Sequence, residues 1–108
     1  FHAYFEEEVM IIPEKVKILY KDYAVREESN LHDNKSELYG IARYLEEEIV
    51  LNAGASLNQK KATLIHEIIH AIDEIYCVEL SEGQVEKLGT GFFMLLRDNP
   101  DMFIGGDK

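Results

Sequence analysis

The stretch from Ser56 to Tyr76 constrains this chain more than any other, because its apolar residues recur at helical spacing with no glycine or proline to interrupt them. Ile65, Ile68, Ile69, Ile72, Ile75 and Tyr76 trace one stripe, the mark of a helix with one face against a core. Ser56, with Gln59 three residues on, reads as a capping box that opens it. Inside this helix, residues 66–70 spell His-Glu-Ile-Ile-His. His66 and His70 lie four residues apart and therefore project from one face, one turn apart. Two imidazoles so spaced can hold a single Zn²⁺ through nitrogens at about 2.0–2.1 Å. Glu67 sits about 100° further round. That is too far to ligate with both histidines, but it suits a general base that takes a proton from water beside the ion. Two ligands and one base are the minimum for metal-assisted hydrolysis.

Asp73 and Cys77 share the histidine side of the helix. Asp73 is placed either to accept a hydrogen bond from a ligand's second nitrogen or to face solvent. Cys77 reads as a small buried thiol. A second helix begins with equal clarity. Ser81 is a good N-cap with Gln84 at the third helical position, and Val85, Leu88, Phe92, Leu95 and Leu96 form its expected buried stripe. Gly89 and Gly91 are costly in a helix interior, by up to about 1 kcal/mol each, and imply close approach to the first helix. Asn99-Pro100 ends the element.

A catalytic zinc needs a third protein ligand and one open position. A histidine or aspartate six residues past the second histidine is excluded, since that position is Tyr76. Glu82 and Glu86 remain, four apart on one face of the second helix. Upstream, Val16, Ile18 and Tyr20 alternate with lysines, and Tyr23 and Val25 follow a turn expected near Lys21-Asp22. Residues 27–37 are polar and read as a loop. Leu38 to Leu45 and Ile49 to Leu51 make a second strand pair, joined through Glu46-Glu47-Glu48. The strand at Ile49 to Leu51 is a candidate for pairing with an extended peptide. The expected fold is α+β: a small antiparallel sheet of two hairpins followed by two packed helices, in one domain over 1–108. Residues 1–12 read as a loose arm or short first element, and 105–108 as a loose tail. His2 and His32 fall in expected loops and read as surface residues.

The formal net charge is −10, with 11 basic residues scattered along the chain, which argues against direct nucleic-acid binding. No apolar run reaches the 18 or so residues of a membrane span, and the first residues lack the pattern of a secretory signal. One cysteine excludes a disulfide framework and a Cys-x-x-Cys zinc site, and points to the reducing cytoplasm.

HEIIH followed by Glu82-Gly-Gln-Val-Glu86 resembles the gluzincin arrangement. More narrowly, the β-rich start, the LNAGAS entry, TLIHEIIHAID and LSEGQVEKLGTGFFMLLRDNP resemble small ImmA/IrrE-type metallopeptidases of bacteria and phages, over roughly residues 36–100. The resemblance implies a minimal zincin-like domain with His66, His70 and Glu82 as zinc ligands and Glu67 as general base. It puts Glu86 where a carboxylate orients a ligating histidine, although Glu86 replaces the usual Asp or Asn. It further implies limited, site-selective cleavage of a regulatory protein such as a transcriptional repressor. Tyr39, Tyr44 and Tyr76 are chemically able to stabilise the oxyanion. The competing expectation is a non-catalytic metal-binding interaction domain, antitoxin- or inhibitor-like, built on the same scaffold.

Overall fold

The computed structural model describes residues 11–33 and 36–103. The chain runs through β1 (Lys15–Ile18), β2 (Lys21–Glu28), β3 (Gly40–Arg43), β4 (Glu48–Asn52), α1 (Leu57–Tyr76), α2 (Glu82–Asp98) and a short 3₁₀ turn (Pro100–Phe103). A sheet followed by two packed helices is the α+β arrangement expected. The expected arm and tail lie outside the described residues, apart from Ile11 and Ile12.

The sheet order is β1-β2-β4-β3. Both hairpins form, but β2 runs parallel to β4 between them, with Val25 opposite Ile49 and Glu27 opposite Leu51. The sheet is therefore mixed rather than purely antiparallel. The reason is visible in β4, whose Ile49-Val50-Leu51 run is fully buried. An uninterrupted apolar run suits an interior strand, and β4 is flanked by β2 on one side and β3 on the other. Ile49 to Leu51 is thus central and has no free edge, and β3 takes the edge instead.

Smaller differences follow from turn chemistry. The first hairpin turns at Leu19-Tyr20 and not at Lys21-Asp22, with Ile18 paired to Lys21 and Leu19 in the left-handed region at φ 58°. Glu27 and Glu28 belong to β2, so the expected loop starts two residues later. Residues 44–47 close the second hairpin, with Glu47 left-handed at φ 55°.

One face of the sheet packs on α1. Ile18, Tyr23, Ile49, Leu51, Leu64 and Ala71 form the buried cluster, with Val25, Ala42, Ile68 and Ile75 against it. Each fully buried Leu or Ile contributes about 1.5–3 kcal/mol. The core-facing line of α1 is therefore Leu64, Ile68, Ala71 and Ile75, while Ile72 and Tyr76 are exposed. Ser56 caps α1 by accepting from the Gln59 amide at 3.1 Å. The Gln59 side chain turns instead to Thr63, so only half of the expected box forms there. Ser81 and Gln84 form the complete box on α2.

The second helix departs most from expectation. Val85 and Gly89 are its buried residues, whereas Leu88, Phe92 and Leu95 are exposed. Gly89 meets α1 as expected: a Cβ there would lie 3.5 Å from His66 Cα. Gly91 does not, since a Cβ there would meet nothing within 4 Å. No described helix is long and apolar enough to cross a membrane.

Candidate metal centre

The histidine face of α1 looks across a narrow gap at the first turn of α2. His66 Nε2 lies 3.2 Å from one oxygen of Glu82, and His70 Nε2 lies 3.0 Å from the other. The two imidazoles stand edge to face with ring centroids 4.8 Å apart. One donor atom from each of the three side chains falls within 4.8 Å of the others, a spacing that suits ligands around one small cation. Two imidazole nitrogens and one carboxylate oxygen match the donor set of an open zinc site with three protein ligands. Glu86 does not join this group. It lines the same cleft one turn further along α2, and no hydrogen bond ties it to either histidine.

The connection between the helices explains why Glu82 arrives there. Cys77 ends α1 in the left-handed conformation at φ 55°, its N–H donating to the Asp73 carbonyl. The Val78 amide reaches the same carbonyl at 3.3 Å. The Asp73 carboxylate then accepts from the Glu79 and Leu80 amides at 2.7 and 3.2 Å. Four successive amides thus converge on one residue, curling the chain so that Ser81 caps α2 and Glu82 opens it opposite His70. The Asp73 carboxylate thus holds the turn through the Glu79 and Leu80 amides. Cys77 is exposed at this corner, because a C-terminal cap in that conformation lies where the chain leaves the helix. The N-terminal position of Glu82 also suits its charge, since the helix dipole favours a carboxylate there.

Glu67 is buried on the sheet side of the histidines, with only 8% of its surface exposed. Burial pushes its carboxyl up to about 7, the Glu82 charge adds to the rise, and the backbone amide of Ala42 opposes it. Such a value suits a group that must take up and release a proton near neutrality. Tyr44 is raised to about 12, first by burial and then by the charge of Glu67, so its hydroxyl keeps its proton throughout the neutral range.

The second wall of the cleft is β3. The Asn52 N–H donates to the Tyr39 carbonyl at 2.8 Å, and Ile41 pairs with Val50 two residues on. Antiparallel alternation then turns the backbone groups of Gly40 and Ala42 away from β4, towards the open edge. Gly40 is required by packing: a Cβ there would lie 2.5 Å from Thr63 Cγ2 and 3.0 Å from the Val50 carbonyl oxygen. The close approach of β3 to α1 depends on that missing atom. Sequence reasoning did not single out Gly40 or Ala42, although a glycine within an apolar strand pattern signals close backbone approach. The cleft holds about 750 Å³ and is lined by residues from β3, α1 and α2, including Tyr39, Tyr44, Thr63 and Phe93. Tyr76 lies outside it. His32 is exposed near the turn at Asn30 and does not line the cleft.

Comparison of the chain with protein-family models, with curated proteins and with solved structures gives no match.

Proposed function

We propose that this chain is a zinc-dependent metallopeptidase of ImmA/IrrE type that makes limited cuts in a regulatory protein. The observation that carries the reading is the convergence of His66, His70 and Glu82 from two helices, with the buried carboxyl of Glu67 beside them. The resemblance of HEIIH and Glu82-Gly-Gln-Val-Glu86 to the gluzincin pattern supports the same reading. A zinc ion in this cradle supplies Lewis-acid activation of water and of the scissile carbonyl.

The protein's own groups do the rest. Glu67 accepts the proton of the attacking water and returns it to the leaving amine. The Tyr44 hydroxyl, protonated at neutral pH, is a donor within the same cleft for charge developing on the carbonyl oxygen. An extended peptide pairs with the outward backbone groups of Gly40 and with the Ala42 carbonyl, in the strand-addition mode, while the Ala42 amide stays on the Glu67 carboxylate. This assigns to β3 the role that sequence reasoning gave to Ile49–Leu51. Among the described residues, two helices and a small sheet leave this cleft open, which suits one exposed segment of a folded partner, such as a transcriptional repressor, in the cytoplasm.

The test compares wild type with Glu67→Gln. The variant is expected to fold and bind one zinc as wild type does, while cleavage of candidate regulators, followed by mass spectrometry, disappears. Cleavage that persists in Glu67→Gln refutes the general-base role.

A further inference from the structure

Residues 88–95 read Leu-Gly-Thr-Gly-Phe-Phe-Met-Leu, eight positions without a charge in a chain that is 30% charged. On α2 they do not form the buried face. Leu88, Phe92 and Leu95 fall within about 60° of one another on the helix, yet they are 41%, 49% and 37% exposed. The same stripe contains Gly91, whose position has open space around it. No packing within the described residues accounts for a glycine there, although a helix interior disfavours it. Glu82, Glu86, Gly89 and Phe93 face the cleft, so the stripe lies roughly a third of a turn away from it.

We infer that this stripe pairs with its own copy, forming a two-fold symmetric dimer through antiparallel α2 helices. The stripe is self-complementary about a centre between Gly91 and Phe92. Antiparallel pairing about that centre sets Leu88 against Leu95 of the second copy and Phe92 against the notch at Gly91, with the same contacts repeated by symmetry. Gln84 and Asn99 close the two ends as a polar pair. On the outer flank of the stripe, Lys87 comes opposite Asp98 of the second copy, and in antiparallel helix pairs the same flanks meet. Asp98 is exposed, with one weak contact to its neighbour Arg97 at 3.4 Å, and so is available to the lysine. With a net charge of −10 on each chain, two copies repel each other across most of their surface. An uncharged stripe bounded by one positive and one negative side chain is where that repulsion is smallest. What selects a copy of the chain as the occupant is the self-complementarity of the stripe, with Lys87 and Asp98 on its outer flank. The cleft stays open on the other side of α2.

Sedimentation equilibrium of the whole chain tests this. Wild type is expected to sediment as a dimer that dissociates on dilution. Phe92→Glu should sediment as a monomer with unchanged helix content by circular dichroism. Gly91→Leu should do the same while keeping or raising the melting temperature, because the added side chain has room in the isolated protomer. Should Phe92→Glu fail to fold, the charge reversals decide independently. Lys87→Asp alone and Asp98→Lys alone should each weaken association, and Lys87→Asp with Asp98→Lys should restore it. A wild type that stays monomeric into the millimolar range overturns the inference. So does a dimer that survives both Phe92→Glu and Gly91→Leu, or a double reversal that restores nothing.

Discussion

Glu82 and Glu86 are the same residue type on the same helix, and what separates them is four positions. Glu82 stands at the first position of α2, where the turn after α1 delivers its carboxylate between His66 and His70. Glu86 is one turn further on. Glu82→Ala is therefore expected to weaken zinc binding at least about 100-fold, the scale of a lost direct ligand, whereas Glu86→Ala costs at most about 10–100-fold, the scale of a supporting group. Isothermal titration calorimetry of both variants checks the order; equal losses, or a larger loss for Glu86→Ala, contradict it. Glu67 carries a separate prediction in the metal-free protein. An exposed glutamate in the unfolded chain titrates near 4.5, while the buried one titrates near 7. Between these values the folded state holds the extra proton, so the contribution of Glu67 to stability is greatest below about pH 4.5 and is lost as pH rises through 7. The gap corresponds to about 3 kcal/mol. Urea unfolding with chelator present is expected to show this decline in wild type relative to Glu67→Gln. Parallel pH profiles for the two proteins count against it.

At the level of elements, the corner between α1 and α2 decides where the third donor goes. Asp73 gathers the Cys77 and Val78 amides on its carbonyl and the Glu79 and Leu80 amides on its carboxylate. Asp73→Ala frees two amides at the corner and is expected to cost about 1–3 kcal/mol. It should also lower zinc affinity, since Glu82 loses its anchor. Asp73→Asn keeps an accepting oxygen and should retain most of both. Thermal melts and zinc titrations on the pair test this; identical behaviour of Ala and Asn argues against the anchor. Both helices were legible in the sequence because local chemistry marks their ends, with Ser56 and Ser81 as caps and Asn99-Pro100 as a stop. The role of Asp73 was not, because its partners are backbone amides, which carry no sequence signature. The exposed stripe of α2 resembles a core face in the sequence for a related reason. Periodicity shows that a face is apolar, but not what covers it.

Across the whole molecule, the HEIIH pattern is local and the candidate site is not. HEIIH lies within one helix and could be read directly, and the first two turns of the second helix hold two acids, Glu82 and Glu86. The cleft itself depends on β3 lying against α1, a contact made by Gly40 and Thr63 across a sheet whose order is β1-β2-β4-β3. Strand order is a long-range property, and the parallel pairing of β2 with β4 leaves little trace beyond the unbroken apolar run in β4. The sequence pattern accordingly points to Ile49–Leu51 as the edge where the structure has β3, while the α+β plan of a sheet followed by two packed helices is the one observed. A cation held by His66, His70 and Glu82 would tie α1 to α2 at the mouth of that cleft. X-ray absorption spectroscopy at the zinc edge, on protein loaded with one equivalent, tests this most directly. The account predicts two imidazole nitrogens at about 2.0–2.1 Å and one carboxylate oxygen at about 2.0–2.2 Å, with a further non-protein light atom completing four-coordination. A sulfur scatterer at about 2.3 Å from Cys77, or a single imidazole in the shell, would contradict it.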